Sequence, residues 1–250
     1  MRKLLFMIAA MLVSLTASAQ LTEEGETRNG LKEGNWYEID NAKNLIRKVT
    51  QYENGKKNGL YMEVDESGAL VKMAEYKNDK LNGPSYSWFK GGKLSAKNTY
   101  KDDVLNGEQI KCYEQGGNQE IANYKDGERD GLTTWYDQDG NKVMSIEYKK
   151  GLFEGEQRTF YKDGTLKTLK YFKNNVQDGP ATEYYESGAL KSESKYKKGE
   201  LSGKVKSYDD KPVEKAQKME KDAKEKEKDV KEKIKESKDF KPINKTEKKP

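Results

Sequence analysis

The chain holds no histidine and one cysteine, Cys112. The side chains most used as general bases and zinc ligands are therefore absent or alone. A Ser-His-Asp or Cys-His nucleophilic site is excluded, and no Gly-x-Ser-x-Gly elbow occurs. The nearest things to paired carboxylates are Asp102 with Asp103 and Asp137 with Asp139, which in principle suit acid chemistry or calcium. Whether they form a site depends on what surrounds them, and the surroundings are repetitive.

Seven positions recur with a period of 24 residues: Tyr52, Tyr76, Tyr100, Tyr124, Tyr148, Phe172 and Tyr196. In step with them run Gly59, Gly83, Gly107, Gly131, Gly155, Gly179 and Gly203, and a third register of Gly68, Gly92, Gly116, Gly140, Gly164 and Gly188. Three locked registers define a tandem-repeat protein, in which each unit is completed by its neighbours. The equivalents of Asp102, Asp103, Asp137 and Asp139 elsewhere vary in type, so no ladder of ligands forms. These acids read as solvated turn residues. Cys112 stands where other repeats carry Trp88, Tyr136, Phe160 and Tyr184, and reads as a small apolar filler. No catalytic, cofactor-binding or metal-binding residue is expected.

Each unit contains a short run with aromatics, a glycine-bearing turn, and a second run that ends in an aromatic. That is the pattern of a β-hairpin. Leu70, Leu94, Leu166 and Leu190 lie an even number of residues before the closing aromatic, which places both on one strand face. The opposite positions are mainly polar, so the expectation is a sheet with one apolar and one wet face. Hairpins are linked through Gly55, Asp79, Asp103, Gly127, Gly151, Asn175 and Gly199. The restriction to Gly, Asn and Asp predicts a tight left-handed turn. The strict glycine four residues later predicts close approach by an aromatic ring of the next unit. With no helical pattern behind them, these glycines do not form a phosphate loop.

The pattern Tyr-x-Asn/Asp-Gly-x-x-x-Gly-x-x-x-x-Tyr/Trp-x-x-x-Gly-x-Leu resembles the MORN repeat, and most closely its variant in YwqK-type antitoxin-like bacterial proteins. It runs from Gly30 to about Tyr208. The first unit carries an extra residue near Asn41 to Asn44, and Pro212 truncates the last. The resemblance implies an all-β repeat fold of antiparallel hairpins stacked into an elongated sheet. The shared residues are the structural ones, so the resemblance speaks to fold more than to function; the family name suggests an antitoxin-like partner, and some MORN proteins are linked to membrane lipids.

The ends differ from the array. Arg2 and Lys3, the apolar run Leu4 to Leu15, and Ala17-Ser18-Ala19 read as a signal peptide over residues 1–19, cleaved before Gln20. An N-terminal buried helix is the competing reading. The repeat array then occupies residues 20–208, in an exported protein of the periplasm or cell surface. From residue 209 to 250 lysine alternates with acids four residues apart, as in Glu220 with Lys224 and Glu227 with Lys231. This reads as a charged α-helix with a frayed end, or as disorder.

The net charge of +5 has its signs interspersed, which disfavours nucleic acid as a partner. The hydrophobic share of 33% fits a thin core. Packing accounts for most of the sixteen tyrosines, and rows of partly exposed rings could hold an extended peptide, a glycan or another copy of the sheet; a protein-binding scaffold is the expected role. An immunity or antitoxin-like role, and envelope association through lipid headgroups or glycan, are the alternatives. Trp135 lies in a register that otherwise holds Glu63, Ser87, Lys111, Thr159 and Glu183, and is expected to be exposed, either as a candidate partner contact or as an incidental surface ring. Trp88, one position further on, is expected to be core.

Overall fold

The computed structural model describes residues 21–210. The expected signal peptide and charged C-terminal helix lie outside the described residues. Two compact units are present, one ending at Gly116 and one beginning at Gly117. The first contains β1 (Leu21–Arg28), β2 (Leu31–Asp40), β3 (Leu45–Glu53), β4 (Lys56–Val64), β5 (Leu70–Lys77), β6 (Lys80–Trp88), β7 (Leu94–Lys101), β8 (Val104–Leu105) and β9 (Gly107–Cys112). The second contains β10 (Asn118–Lys125), β11 (Glu128–Arg129), β12 (Gly131–Tyr136), β13 (Lys142–Lys149), β14 (Leu152–Phe160), β15 (Leu166–Lys173), β16 (Val176–Tyr184), β17 (Leu190–Lys197), β18 (Glu200–Leu201) and β19 (Lys206–Ser207). Within each unit, successive strands pair antiparallel, with β8 and β9 both on β7, β11 and β12 both on β10, and β18 and β19 both on β17. The fold is all-β, with no helix among the described residues.

Two kinds of turn alternate. The longer one carries the third glycine register. In Asp65–Ala69, Gly68 takes φ +86° and its N–H donates to the Asp65 carbonyl at 3.0 Å. The first repeat has no glycine there, and Asn44 takes the left-handed conformation instead at φ +49°. The other turn has two central residues, both left-handed: Asn78 and Asp79 at +50° and +69°, Asn174 and Asn175 at +49° and +67°. Positive φ at both positions matches the right-handed twist of the flanking strands, so the segment between hairpins is itself a tight hairpin. The expected restriction to Gly, Asn and Asp is explained. The residue before it is left-handed too, including Lys150 and Lys198 at +50° and +51°.

The second glycine register requires a correction. Gly59 through Gly179 have φ between +107° and +136°, and Gly203 has +93°. The ladder irregularities between β3 and β4 and between β13 and β14 fall opposite such glycines. An aromatic does lie across the ladder, as in Gly59 with Tyr76 and Gly155 with Phe172. The space a Cβ would fill, however, belongs to the preceding strand. It meets the Cβ of Gln51, Glu75 and Glu147 at 3.2 Å for Gly59, Gly83 and Gly155. These glycines are bulge positions with left-handed geometry.

Candidate interaction surface

Cross-strand register assigns side chains to faces. On the face carrying the closing aromatics, one row crosses the first unit through Trp36, Thr50, Tyr61, Ala74, Ser85 and Asn98. In the second unit the equivalent row runs through Thr133, Ile146, Gln157, Lys170, Ala181 and Ser194. This is the most buried row, and it is largely small or polar: Ala74, Ala122 and Thr133 are almost fully buried. The expected division into one apolar and one wet face is too simple. Tyr86 and Trp88 stack on the opposite face, with centroids 6.1 Å apart.

Beside the buried row runs a second one that the repeat pattern left unread. The residue two places after each tight turn pairs with the closing aromatic: Lys57 with Tyr52, Leu81 with Tyr76, Leu105 with Tyr100, Arg129 with Tyr124, Phe153 with Tyr148. It is inserted between rings of consecutive hairpins. Lys32 lies 4.0 Å from the Trp36 ring centroid and 5.1 Å from Tyr52. Lys57 lies 5.7 Å from Tyr61 and 5.1 Å from Tyr76. Arg129 lies within 5.4–5.7 Å of Tyr124, Trp135 and Tyr148. Where the inserted residue is Phe153, it meets Tyr148 and Phe172 edge-on at 5.0 and 5.8 Å. Each cation–ring contact contributes about 0.5–1 kcal/mol at exposed sites. The result is a half-buried strip in which closing rings alternate with an inserted cation or apolar side chain.

Trp135 lies on this face, half-buried. Its indole N–H donates to Glu120 Oε2 at 2.9 Å, while Glu120 Oε1 accepts from Arg129 Nη2 at 2.6 Å. Arg129 Nη1 also donates to Thr133 at 3.3 Å. The expected isolated, exposed tryptophan is thus corrected: its polar register neighbour Glu120 is buried and uses the indole as a partner. Alternation correctly places Trp88 and Trp135 on opposite faces, but both are half-buried.

The acidic pairs lock turns. Asp103 Oδ1 accepts from Leu81 N at 2.7 Å, and Asp137 Oδ1 accepts from the N–H groups of Asp139 and Asn141 at 3.0 and 2.8 Å. The Asn141 side chain is the main group holding the Asp137 carboxyl below its ordinary value. Among the described residues, no group of three or more Cys, Asp or Glu is placed to hold a metal ion. Burial pushes the Cys112 thiol up, away from a reactive thiolate.

The geometry defines an all-β tandem-repeat protein whose repeat boundary is the tight turn. The sequence matches the MORN repeat variant in three tandem segments, residues 129–150, 153–174 and 177–198. Each match begins at an inserted residue, Arg129, Phe153 or Gln177, and ends at the first residue of the next tight turn. MORN repeats commonly mediate protein or membrane interactions, and their proteins are typically non-catalytic. No curated protein matches the chain.

Proposed function

We propose that the chain is an exported, non-enzymatic scaffold, in the periplasm or at the cell surface, that binds another protein along the strip of rings and cations. The observation that carries this reading is the recurrence of half-buried aromatics with an inserted cation or apolar residue on one face. Such a strip offers large rigid rings with polar tips, the composition favoured in the centre of protein interfaces. A photo-crosslinking phenylalanine at Tyr76 or Tyr100, in cells making the full chain, should trap one defined protein, whereas the same probe at Thr99, on the opposite face, should not. Crosslinks to lipid alone, or equal yields from both faces, would reject the protein-binding reading. Export predicts a recovered chain whose mass corresponds to a start at Gln20.

A further inference from the structure

The two ends of the strand series are complementary halves of one repeat. β1 is a complete second strand: Leu21 occupies the register of Leu70 and Leu190, and Thr27 that of the closing aromatic. The segment from Gly203 through β19 to Tyr208 is a first strand, equivalent to Gly59–Val64. Among the described residues β1 pairs along one edge with β2, and β19 along one edge with β17. Each outer edge therefore faces the kind of strand that the other end supplies.

We propose that the chain associates head to tail with a second copy, the outer edge of β19 in one copy pairing antiparallel with the outer edge of β1 in the next. The register follows from the pairing of β4 with β5, in which Gly59 faces Tyr76, Leu60 faces Glu75 and Met62 faces Met73. Transferred to the edges unpaired among the described residues, it sets Gly203 against Thr27, Lys204 against Glu26, Val205 against Gly25, Lys206 against Glu24 and Tyr208 against Leu21. Two of these are opposite-charge pairs, and all four charged residues are exposed. The apolar residues brought together are exposed as well: Leu21 and Val205 at 51% and Tyr208 at 40%. Val205 would sit beside the Trp36 ring, which packs so closely on Gly25 that an added Cβ would lie 2.5 Å away.

The symmetric alternatives are disfavoured. Two copies of β1 would bring Glu23, Glu24 and Glu26 against one another, and two copies of β19 would oppose Lys204 and Lys206; like charges directly across a ladder destabilise it. An unpaired edge is a template for strand addition, and a head-to-tail contact that does not close generates open assemblies.

The test is sedimentation of the full chain, produced so that any N-terminal processing takes place, over a wide concentration range. Mass should rise with concentration without a fixed ceiling and fall with added salt. The double variants Glu24→Lys/Glu26→Lys and Lys204→Glu/Lys206→Glu should each weaken association about tenfold or more. Mixing the two variants should restore it, because each then meets an edge of opposite charge. Circular dichroism confirms that both remain folded. A chain that stays monomeric at all concentrations, a closed dimer, or variants that associate as the parent does would overturn the proposal. None of these outcomes depends on whether a protein binds the aromatic strip.

Discussion

Asp79 and Lys57 are joined by two hydrogen bonds of opposite direction that clasp one tight turn to the next. Asp79 N–H donates to the Lys57 carbonyl at 2.9 Å, and Lys57 N–H donates to Asp79 Oδ1 at 2.8 Å. Asp103 with Leu81, and Asn175 with Phe153, repeat the arrangement. Where the turn residue is Gly151 or Gly199, the carbonyl bond remains. Asp79→Gly should therefore keep the left-handed turn but lose about 0.5–1.5 kcal/mol, while Asp79→Asn should be nearly neutral. Gly151→Asn supplies the acceptor facing Arg129 and reduces unfolded-state freedom, so it should stabilise by about 0.5–1 kcal/mol. Denaturant unfolding of the chain measures all three. A destabilised Asp79→Asn would show that the carboxylate charge, rather than the bond, matters.

The bulge glycines separate strain from contact. A Cβ on Gly131 would meet Asn123 at an ordinary 3.5 Å, so Gly131→Val is expected to cost about 1–3 kcal/mol through backbone strain at φ +107°. A Cβ on Gly179 would lie 2.9 Å from the Cβ of Tyr171, adding a clash to the strain at φ +136°. Gly179→Ala should consequently be more destabilising than Gly203→Ala, where nothing lies within 4 Å. Substitution of exposed Lys149 should stay within about 0.5 kcal/mol. Equal melting temperatures for Gly179→Ala and Gly203→Ala would remove the contact from the account.

The hairpins, both turn registers and the period were legible because they rest on local backbone demands. Gly68 and Asp79 are chosen by a positive φ that any window of the sequence betrays. The role of Lys57 or Arg129 was not legible. Its position accepts Lys, Leu, Arg, Phe and Gln, because any long side chain fills the gap between two rings. Nor was the pairing of Trp135 with Glu120. They are 15 residues apart in sequence and meet only once cross-strand register is known. A polar register was read as an exposed one, yet in a single-layer sheet buried positions are often polar and satisfied by their ladder neighbours.

Stability should respond to pH at both extremes. Burial raises Tyr61, Tyr76 and Tyr148 above the ordinary tyrosine value; a hydrogen bond to Glu156, then burial, raises Tyr171. Groups raised in the folded state contribute fully below the ordinary value of about 10 and lose that contribution as pH rises through their folded values. At the acid end, the Ser67 hydroxyl holds the Asp65 carboxyl low, and the Thr165 N–H does so for Asp163. Their contribution is present above the ordinary carboxylate value and is lost as pH falls through the depressed ones. The unfolding midpoint should be flat between about pH 5 and 9 and fall beyond both limits. Tyr61→Phe should blunt the alkaline fall. An unchanged alkaline limb in that variant would show that its burial does not couple to folding.

Trp135 and Trp88 give the sharpest test of how the sheet is held. Removing the Trp135 ring takes one hydrogen bond from buried Glu120 and strips a wall from the Arg129 guanidinium. Trp135→Ala is therefore expected to destabilise by about 2–3 kcal/mol, through lost packing and the loss of a hydrogen bond to a buried carboxylate. Trp135→Phe retains a ring and should lose about 1 kcal/mol. Trp88→Ala removes one member of the Tyr86 stack, where no hydrogen bond is at stake, and should cost about 1–2 kcal/mol. The order is the reverse of the one the sequence implies. Trp135→Phe and Glu120→Gln should also be non-additive, since both act on the same N–H to carboxylate bond. Thermal unfolding of the single and double variants measures the coupling. A neutral Trp135→Ala, or strict additivity with Glu120→Gln, would mean that the indole is not a structural partner of Glu120.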